Sequence, residues 1–312
     1  MAPWTVSAAV LPGGPSLPAG TYAFIRSPDN HIYMRNIAPG SQWIDTTAQA
    51  IAGSGPAVVV QPPIPTSGTA KQSTKKSPLI RQRTANKAAL AAAPTKDVYL
   101  LSTNAARNAI NTINDNDDLS AWEPWNVLGG VYTTSIGASY DKNYSTPDQP
   151  VNFFTGRGTD GILYLNGVNF GAQITAPPTL SYTTAYGRTA LMYRGTDGSL
   201  YRMLNGYNND PYYFTAPSKI ASNVGSSASL AERSHRYYYR GNDNGLWYEN
   251  GATWGAPIRI PTGAITGTPF ALDEGIPDQP DRVNVFARGT DGHLYMWNTG
   301  TQTWTGLGGT VA

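Results

Sequence analysis

The sequence contains no cysteine, which excludes disulfide bonds and thiolate metal sites. Only 13% of its 312 residues are charged, and no stretch approaches the roughly 20 apolar residues that a membrane-spanning helix needs, so we expect a soluble protein. Glycine (33), proline (24) and tyrosine (19) are abundant instead. This composition is typical of many short strands joined by tight turns, and it predicts an all-β protein with little helix.

The N-terminal residues do not have the form of a secretory signal. They lack a basic flank, and Pro12, Gly13, Gly14 and Pro15 interrupt the apolar run early. We therefore expect a protein that is cytoplasmic or released by a non-classical route, with a component of a particle as the alternative.

One motif recurs along the chain. Arg-Gly-Thr-Asp-Gly-x-Leu-Tyr occupies residues 157–164, 194–201 and 288–295, and variants of it occupy residues 240–247 and 26–33. A degenerate copy near Asn104 keeps the strand but lacks the arginine. Apolar runs flank each copy, and Asp-Gly tolerates the positive φ of a tight turn. Each copy therefore predicts a β-hairpin.

The spacing of the copies predicts the architecture. Asp160, Asp197, Asp243 and Asp291 are separated by 37, 46 and 48 residues, which is room for about four strands per repeat. This period is that of a propeller blade. The repeats account for six blades, with seven as the alternative, in a single domain spanning residues 1–312. Residues 133–138 are mostly small, which suits the crowded central axis of a propeller. We also expect the N- and C-terminal strands to share a blade, because this would remove the open edges of the array.

Residues 66–96 interrupt this pattern between the first two blades. They lack aromatic and acidic residues, so they cannot pack a core. Their composition is typical of a flexible loop or of an arm that binds nucleic acid, an anionic surface or a neighbouring subunit. Residues 84–93 are rich in alanine and would allow a short helix. If the segment is an arm, its candidate partner contacts are Lys71, Lys75, Lys76, Arg81, Arg83 and Lys87.

The sequence offers little material for catalysis. His31, His235 and His293 lack metal-ligand spacing, and there is no nucleophile elbow or phosphate-binding loop. The repeat aspartates belong to turns, and no local pattern selects a pair of carboxylates as in a glycosidase. We predict a protein that is not an enzyme and that has no cofactor and no metal, with a glycosidase as the third alternative.

Two sets of residues are candidates for binding a sugar. The repeat arginines either lock neighbouring blades together or contact a ligand: Arg157, Arg194, Arg240 and Arg288. The tryptophans present flat apolar faces that match the C–H faces of sugars, although some belong to the core: Trp125, Trp247, Trp254, Trp297 and Trp304.

The order of these elements is similar to that of a known family. A Trp followed by Leu-Gly-Gly, a strand of small residues, an apolar strand and then Arg-Gly-Thr-Asp-Gly-x-Leu-Tyr resembles the bacterial β-propeller lectins of the Photorhabdus lectin type, most closely over residues 120–312. The resemblance implies a multivalent lectin that binds fucose or related sugars between blades. Members of that family have seven blades, and the uneven repeats here predict that at least two pockets are lost. The alternative function is a structural or adaptor subunit of a large assembly, such as a viral particle or an injection machine, that docks through the propeller and the basic arm.

Overall fold

The computed structural model describes residues 6–11, 18–50, 54–61, 97–104, 106–114, 125–140, 152–183, 187–206, 213–251, 255–274, 279 and 282–311. In these ranges the chain forms 23 strands and no helix. The described residues therefore contain no helix that could span a membrane. The basic segment 66–96, with all of its candidate partner contacts, lies outside the described residues, as does Trp254.

Each copy of the repeat motif lies in a unit of antiparallel strands. Unit 1 contains β1 (Ser7–Leu11), β2 (Gly20–Arg26), β3 (His31–Asn36) and β4 (Ile44–Gln49), and unit 2 contains β5 (Ala57–Gln61), β6 (Asp97–Thr103), β7 (Ala109–Asn114) and β8 (Asn126–Gly129). Unit 3 contains β9 (Gly137–Tyr140), β10 (Asn152–Arg157), β11 (Ile162–Leu165) and β12 (Val168–Gln173). Unit 4 contains β13 (Thr179–Thr183), β14 (Arg188–Arg194), β15 (Leu200–Leu204) and β16 (Ser218–Ala221).

The remaining strands form one continuous sheet of seven: β17 (Val224–Ala231), β18 (Arg236–Gly241), β19 (Gly245–Asn250), β20 (Ile258–Asp273), β21 (Val283–Gly289), β22 (His293–Asn298) and β23 (Thr303–Thr310). The first part of β20 pairs with β19 and completes unit 5, whereas its second part pairs with β21 and begins unit 6.

The predicted hairpins are confirmed, but the predicted number of separate blades is wrong. Every motif copy, including the degenerate one at Asn104, joins the second and third strands of its unit as an antiparallel pair. The described residues form four separate four-stranded blades, not six or seven. The physical reason is that β20 stays extended for 16 residues, so no turn separates the outermost strand of unit 5 from the innermost strand of unit 6.

The innermost strands form a closed ring. They are neighbours in the order β1, β5, β9, β13, β17 and the second part of β20, which lies beside β1 again. A cluster of buried apolar side chains fills each junction between neighbouring units in the described part of the chain. The hydrophobic core is thus distributed around the ring, as expected of a propeller.

The ring closes in a different way from the one that the sequence predicted. Within the described ranges β1 pairs with β2 and β23 pairs with β22, so the first and last strands do not share a sheet. The closure relies on side-chain packing instead, in which Val6 and Ala8 lie against Phe286 and Leu307. The guanidinium of Arg35 also donates a hydrogen bond to the carbonyl of Leu307.

Small polar residues connect the innermost strands, which have no room for larger ones. The Ser7 hydroxyl accepts the amide of Val58 at 3.1 Å, and the Ser229 hydroxyl accepts the amide of Ala271 at 2.9 Å. A Cβ atom at Gly137 would lie only 2.8 Å from the carbonyl oxygen of Pro178 in the next unit. The predicted strand of small residues therefore has a physical cause: buried amides need partners, and the backbones approach closely.

Candidate functional site

The repeat turns owe their form to an aspartate that accepts two hydrogen bonds. One oxygen of Asp160 accepts the amide of Ile162 at 3.0 Å, and the other accepts the Tyr164 hydroxyl at 2.7 Å. These bonds, the amide first, hold the Asp160 pKa below its usual value. A Cβ at Gly158 would lie 2.5 Å from Asp160 Oδ1 and 2.6 Å from the Tyr164 ring. The Gly, Asp and Tyr of the motif therefore have structural roles: Gly158 leaves room for the carboxylate, and Asp160 accepts the hydrogen bonds of the Ile162 amide and the Tyr164 hydroxyl.

The same arrangement recurs in three other turns. The aspartates at 29, 197 and 291 each accept the amide two residues on and the tyrosine hydroxyl four residues on. In all three the pKa lies below the usual value, and hydrogen bonds are again the largest cause.

The turn of unit 5 departs from this pattern. Asp243 accepts the indole N–H of Trp247 at 2.9 Å in place of a tyrosine hydroxyl, and it also pairs with Arg259 Nε at 2.9 Å. The bond from Trp247 and then that from Arg259 lower the Asp243 pKa to about 2. This carboxylate is therefore ionised throughout the physiological pH range.

Three of the candidate arginines bond the segments that lead into and out of their own units. Each donates Nε–H to a carbonyl just beyond the outermost strand of its unit and an NH1 hydrogen to a threonine hydroxyl at the start of that unit. The Nε distances are 2.7 Å for Arg157 to Ile174, 2.5 Å for Arg194 to Val224 and 2.7 Å for Arg288 to Val311. The NH1 distances to Thr133, Thr175 and Thr266 are 3.1, 2.6 and 3.0 Å. These three arginine side chains therefore stabilise the fold.

Arg240 bonds differently because its turn has asparagine in place of glycine. Its NH1 group donates to Asn244 Oδ1 at 2.5 Å, and its NH2 group donates to the carbonyl of Gly225. Arg26 makes the corresponding bond to Asn30 at 2.7 Å. Asn30 and Asn244 have positive φ values of 68° and 60°, so asparagine takes the position that glycine has in the other turns.

The candidate tryptophans in the described ranges lie at several junctions around the ring, and two of them, Trp297 and Trp304, contact each other. Trp125 packs against the core between units 1 and 2, and Trp247 packs against the core between units 4 and 5. Trp297 is only 7% exposed, and its ring centroid lies 5.6 Å from that of Trp304, at the junction of units 5 and 6. Trp43, which the sequence reasoning did not select, occupies the junction of units 6 and 1.

The histidines and carboxylates do not form a metal site in the described ranges, which contain no group of three or more potential ligands. His31 Nδ1 lies 2.9 Å from Asp45 Oδ2, and His293 Nδ1 lies 3.3 Å from the carbonyl oxygen of Gly309. Both rings are thus held near the surface of their own unit.

A cleft of about 190 Å³ opens where unit 2 meets unit 3. Val131, which is 48% exposed, contributes to its rim, and Tyr164 and Asp160 contribute an aromatic ring and a carboxylate. The lining residues are Gly130, Val131, Tyr132, Gly158, Thr159, Asp160, Tyr164 and Gly167. The cleft lies directly beside unit 2, which carries the degenerate copy of the motif.

Tyr132 and Gly156 give the cleft its shape. Gly156 lies opposite Tyr164 in the β10–β11 pair, and a Cβ at Gly156 would lie 2.4 Å from the Tyr132 ring. Tyr132 is buried under the cleft, and this burial raises its pKa to about 12. The only sequence signal for this site was Gly156, at a strand position where the other copies of the motif have a residue with a side chain.

Comparison with known proteins identifies the fold. No protein-family model and no curated protein matches the chain. Among solved structures it is similar to the fucose-specific lectin from Aleuria aurantia, with 12% identity and a TM-score of 0.63 over 100% of this chain and 98% of that one. An Aleuria aurantia lectin variant in complex with Fucα1-6GlcNAc gives 13% identity and a TM-score of 0.61 over 100% and 96% of the chains. The lectin SapL1 in complex with α-methyl fucoside gives 13% identity and a TM-score of 0.57 over 100% and 97%. The chain therefore has the β-propeller arrangement of these lectins.

Proposed function

We propose that the protein is a carbohydrate-binding lectin without enzymatic activity, and that it holds sugars in the junctions between neighbouring units. The observation that carries this proposal is the partly buried aromatic side chain that each of these junctions places against its core. One such residue for each junction is, in chain order, Tyr33, Trp125, Tyr164, Tyr201, Trp247 and Trp304. Aromatic faces of this kind suit the C–H faces of a sugar ring, while their N–H and O–H groups keep a polar edge.

The similar solved structures support the same class of ligand. They are named for fucose or carry a fucoside, and they share the fold over nearly the whole chain. We propose fucose or a related sugar as the ligand here. Several weak sites around one ring would add to each other in binding a surface that displays many sugars.

The candidate residues have different roles in this proposal. Trp125, Trp247 and Trp304 are partly buried and are proposed to contact sugar, as is Trp254, whereas Trp297 is buried and supports Trp304. The arginines at 157, 194 and 288 already use Nε and NH1 for internal hydrogen bonds. We propose that they position the junctions, and that any direct contact with a ligand uses NH2.

A glycan array followed by titration calorimetry tests the function. We expect fucosylated glycans to be retained on the array and methyl α-L-fucoside to give saturable heat with more than one sugar bound per chain. Trp247→Ala should lose one site, because a junction would lose its aromatic face. An array on which no glycan binds, together with no heat from fucose, galactose or their methyl glycosides, would overturn the proposal.

A further inference from the structure

We propose that β20 and the Asp273 side chain at its end form a strap that joins units 5 and 6 into one cooperative block, which opens to solvent as a single body. This inference goes beyond the proposed function and does not depend on sugar binding. Three features support it: the path of β20, the contacts of its C-terminal end, and the residues at the corresponding positions of other units.

The path of β20 makes it a part of both units. Its first part pairs with β19 of unit 5 and its second part pairs with β21 of unit 6, within one strand of 16 residues. The second part also lies beside β17, the innermost strand of unit 5, where the Ser229 hydroxyl accepts the amide of Ala271 at 2.9 Å. Between units 3 and 4, by contrast, the chain leaves β12 at Gln173 and enters β13 only at Thr179. Separation of unit 6 from unit 5 would therefore distort a hydrogen-bonded strand as well as the packing between the units.

The end of β20 returns to unit 5. The backbone of Asp273 is paired with Val283 of unit 6. Its carboxylate instead accepts the amide of Arg233 at 3.0 Å, in the turn of residues 232–235 between β17 and β18 of unit 5. Hydrogen bonds from an amide to a carboxylate are stronger than those between neutral groups. One residue thus has its backbone in unit 6 and its side chain bonded to unit 5.

The environment of the Asp273 carboxylate makes these contacts costly to lose. Burial raises its pKa, although the amides of Arg233, Glu232 and Ser234 act in the opposite direction. If the turn moved away, a half-buried carboxylate would lose amide partners and a backbone amide would lose its acceptor. Both losses oppose an opening of unit 5 that leaves unit 6 in place.

Unit 6 holds the same end of the strap from the other side. Glu274 follows Asp273, and its carboxylate pairs with Arg282 Nε at 2.9 Å. The Glu274 amide donates to the carbonyl of Arg282 at 3.0 Å, and the side-chain amide of Asn298 donates to the Glu274 carboxylate. The Asp273 side chain is therefore fixed by unit 6 and cannot simply follow the turn of unit 5.

The corresponding position in units 1 to 4 has a different chemistry. In unit 6 it lies opposite the residue five places before the motif arginine, and in unit 2 Thr103 stands at the arginine position. The residues at this position in units 1 to 4 are Val10, Val60, Tyr140 and Tyr182. Valine and tyrosine provide no carboxylate, so the charged acceptor of the strap is specific to the junction of units 5 and 6.

Native-state hydrogen exchange of the full chain, followed by mass spectrometry at increasing urea, tests the proposal. We expect the slowest amides of β18 in unit 5 and of β22 in unit 6 to exchange through one opening, with the same free energy and the same dependence on urea. The slowest amides of β10 in unit 3 and of β14 in unit 4 are the internal comparison. They should exchange through separate openings, because the chain leaves one sheet before it enters the next.

Variants of two aspartates provide a matched comparison. Asp273→Ala should make β18 open at lower urea than β22, and it should speed the exchange of the Arg233 amide about tenfold. Asp273→Asn keeps the shape of the side chain and should have a smaller effect in the same direction. Asp291→Ala is the control, because Asp291 accepts the amide of His293 at 3.0 Å within unit 6. It should shift the opening of β18 and β22 together.

Three results would overturn the inference. The first is a wild-type protein in which β18 and β22 open with different free energies. The second is a single opening shared by all four strands, which would leave units 5 and 6 no more coupled than units 3 and 4. The third is an Asp273→Ala protein in which β18 and β22 still open together.

Discussion

At the scale of single residues, the turn aspartate explains why the motif recurs. It fixes the turn through an amide and fixes the third strand through a tyrosine hydroxyl, and both bonds favour the ionised carboxylate as acceptor. In units 3 to 6 the residue two positions before it is glycine, where a Cβ would lie within 3 Å of the carboxylate, whereas unit 1 has Ser27 at this position. Sequence reasoning found this motif but attributed the turn to Asp-Gly alone, because the bond to a tyrosine four residues away has no local signature.

Asp243→Asn tests the electrostatic role of this residue. The Asp243 pKa in the folded protein is about 2, against an ordinary value of 3.8, so its ionised form stabilises the fold above about pH 4. That stabilisation is lost as the pH falls from 4 to 2. We expect the thermal midpoint of the wild type to fall more steeply over this interval than that of the variant.

The effect should be modest, because the carboxylate is exposed and solvent screens it. High salt should reduce the difference between the two proteins. If the thermal midpoints of the wild type and the variant fell equally from pH 4 to pH 2, the bonds from Trp247 and Arg259 would not lower the Asp243 pKa.

At the scale of strands and sheets, the hairpins were predictable and the continuity of β20 was not. Asp-Gly pairs between apolar runs specify a hairpin locally. In β20, Gly263 and Gly267 have positive φ values of 87° and 74°, and the register of pairing shifts beside them. Such glycines usually indicate turns, so only the three-dimensional structure shows that the chain continues from one ladder into the next.

Ser229→Ala tests how the innermost strands are held. The Ser229 hydroxyl accepts the buried Ala271 amide across the junction of units 5 and 6, and its loss leaves that amide without this partner. We expect a loss of about 1–3 kcal/mol in the free energy of unfolding, measured by urea denaturation. Ser218→Ala, at an exposed position in β16, is the control and should change stability by less than about 0.5 kcal/mol. Equal effects of the two variants would contradict the role of the inner serines.

At the scale of the whole molecule, the ring is held together by junctions, and the aromatic side chains proposed to contact sugar in the described ranges lie in them. The repeat predicted the propeller, but it could not predict the cleft. Tyr132 and Gly156 belong to different segments of the chain. The Tyr132 ring occupies the space that a side chain at position 156 would need, and this packing cannot be read from either segment alone. The closure was missed for the same reason: Val6 and Phe286 are far apart in sequence and meet only in the core.

Removal of the basic segment tests whether it belongs to the sugar-binding function or to a second one. Gln61 pairs with Asp97, so the ends of the connection are neighbours, and residues 62–96 can be replaced by a short Gly-Ser turn. Because the junction clusters in the described part of the chain are built from residues on either side of this connection, we expect unchanged affinity for methyl α-L-fucoside in titration calorimetry. A loss of sugar binding with the fold intact would show that the basic segment takes part in the site, and would favour the arm over the loop.

A crystal structure of the full chain soaked with methyl α-L-fucoside is the most direct test of the account. We predict electron density for the pyranose ring in the junctions between units. Density for the sugar only outside the junctions, or none at saturating fucoside in any accessible junction, would contradict the account.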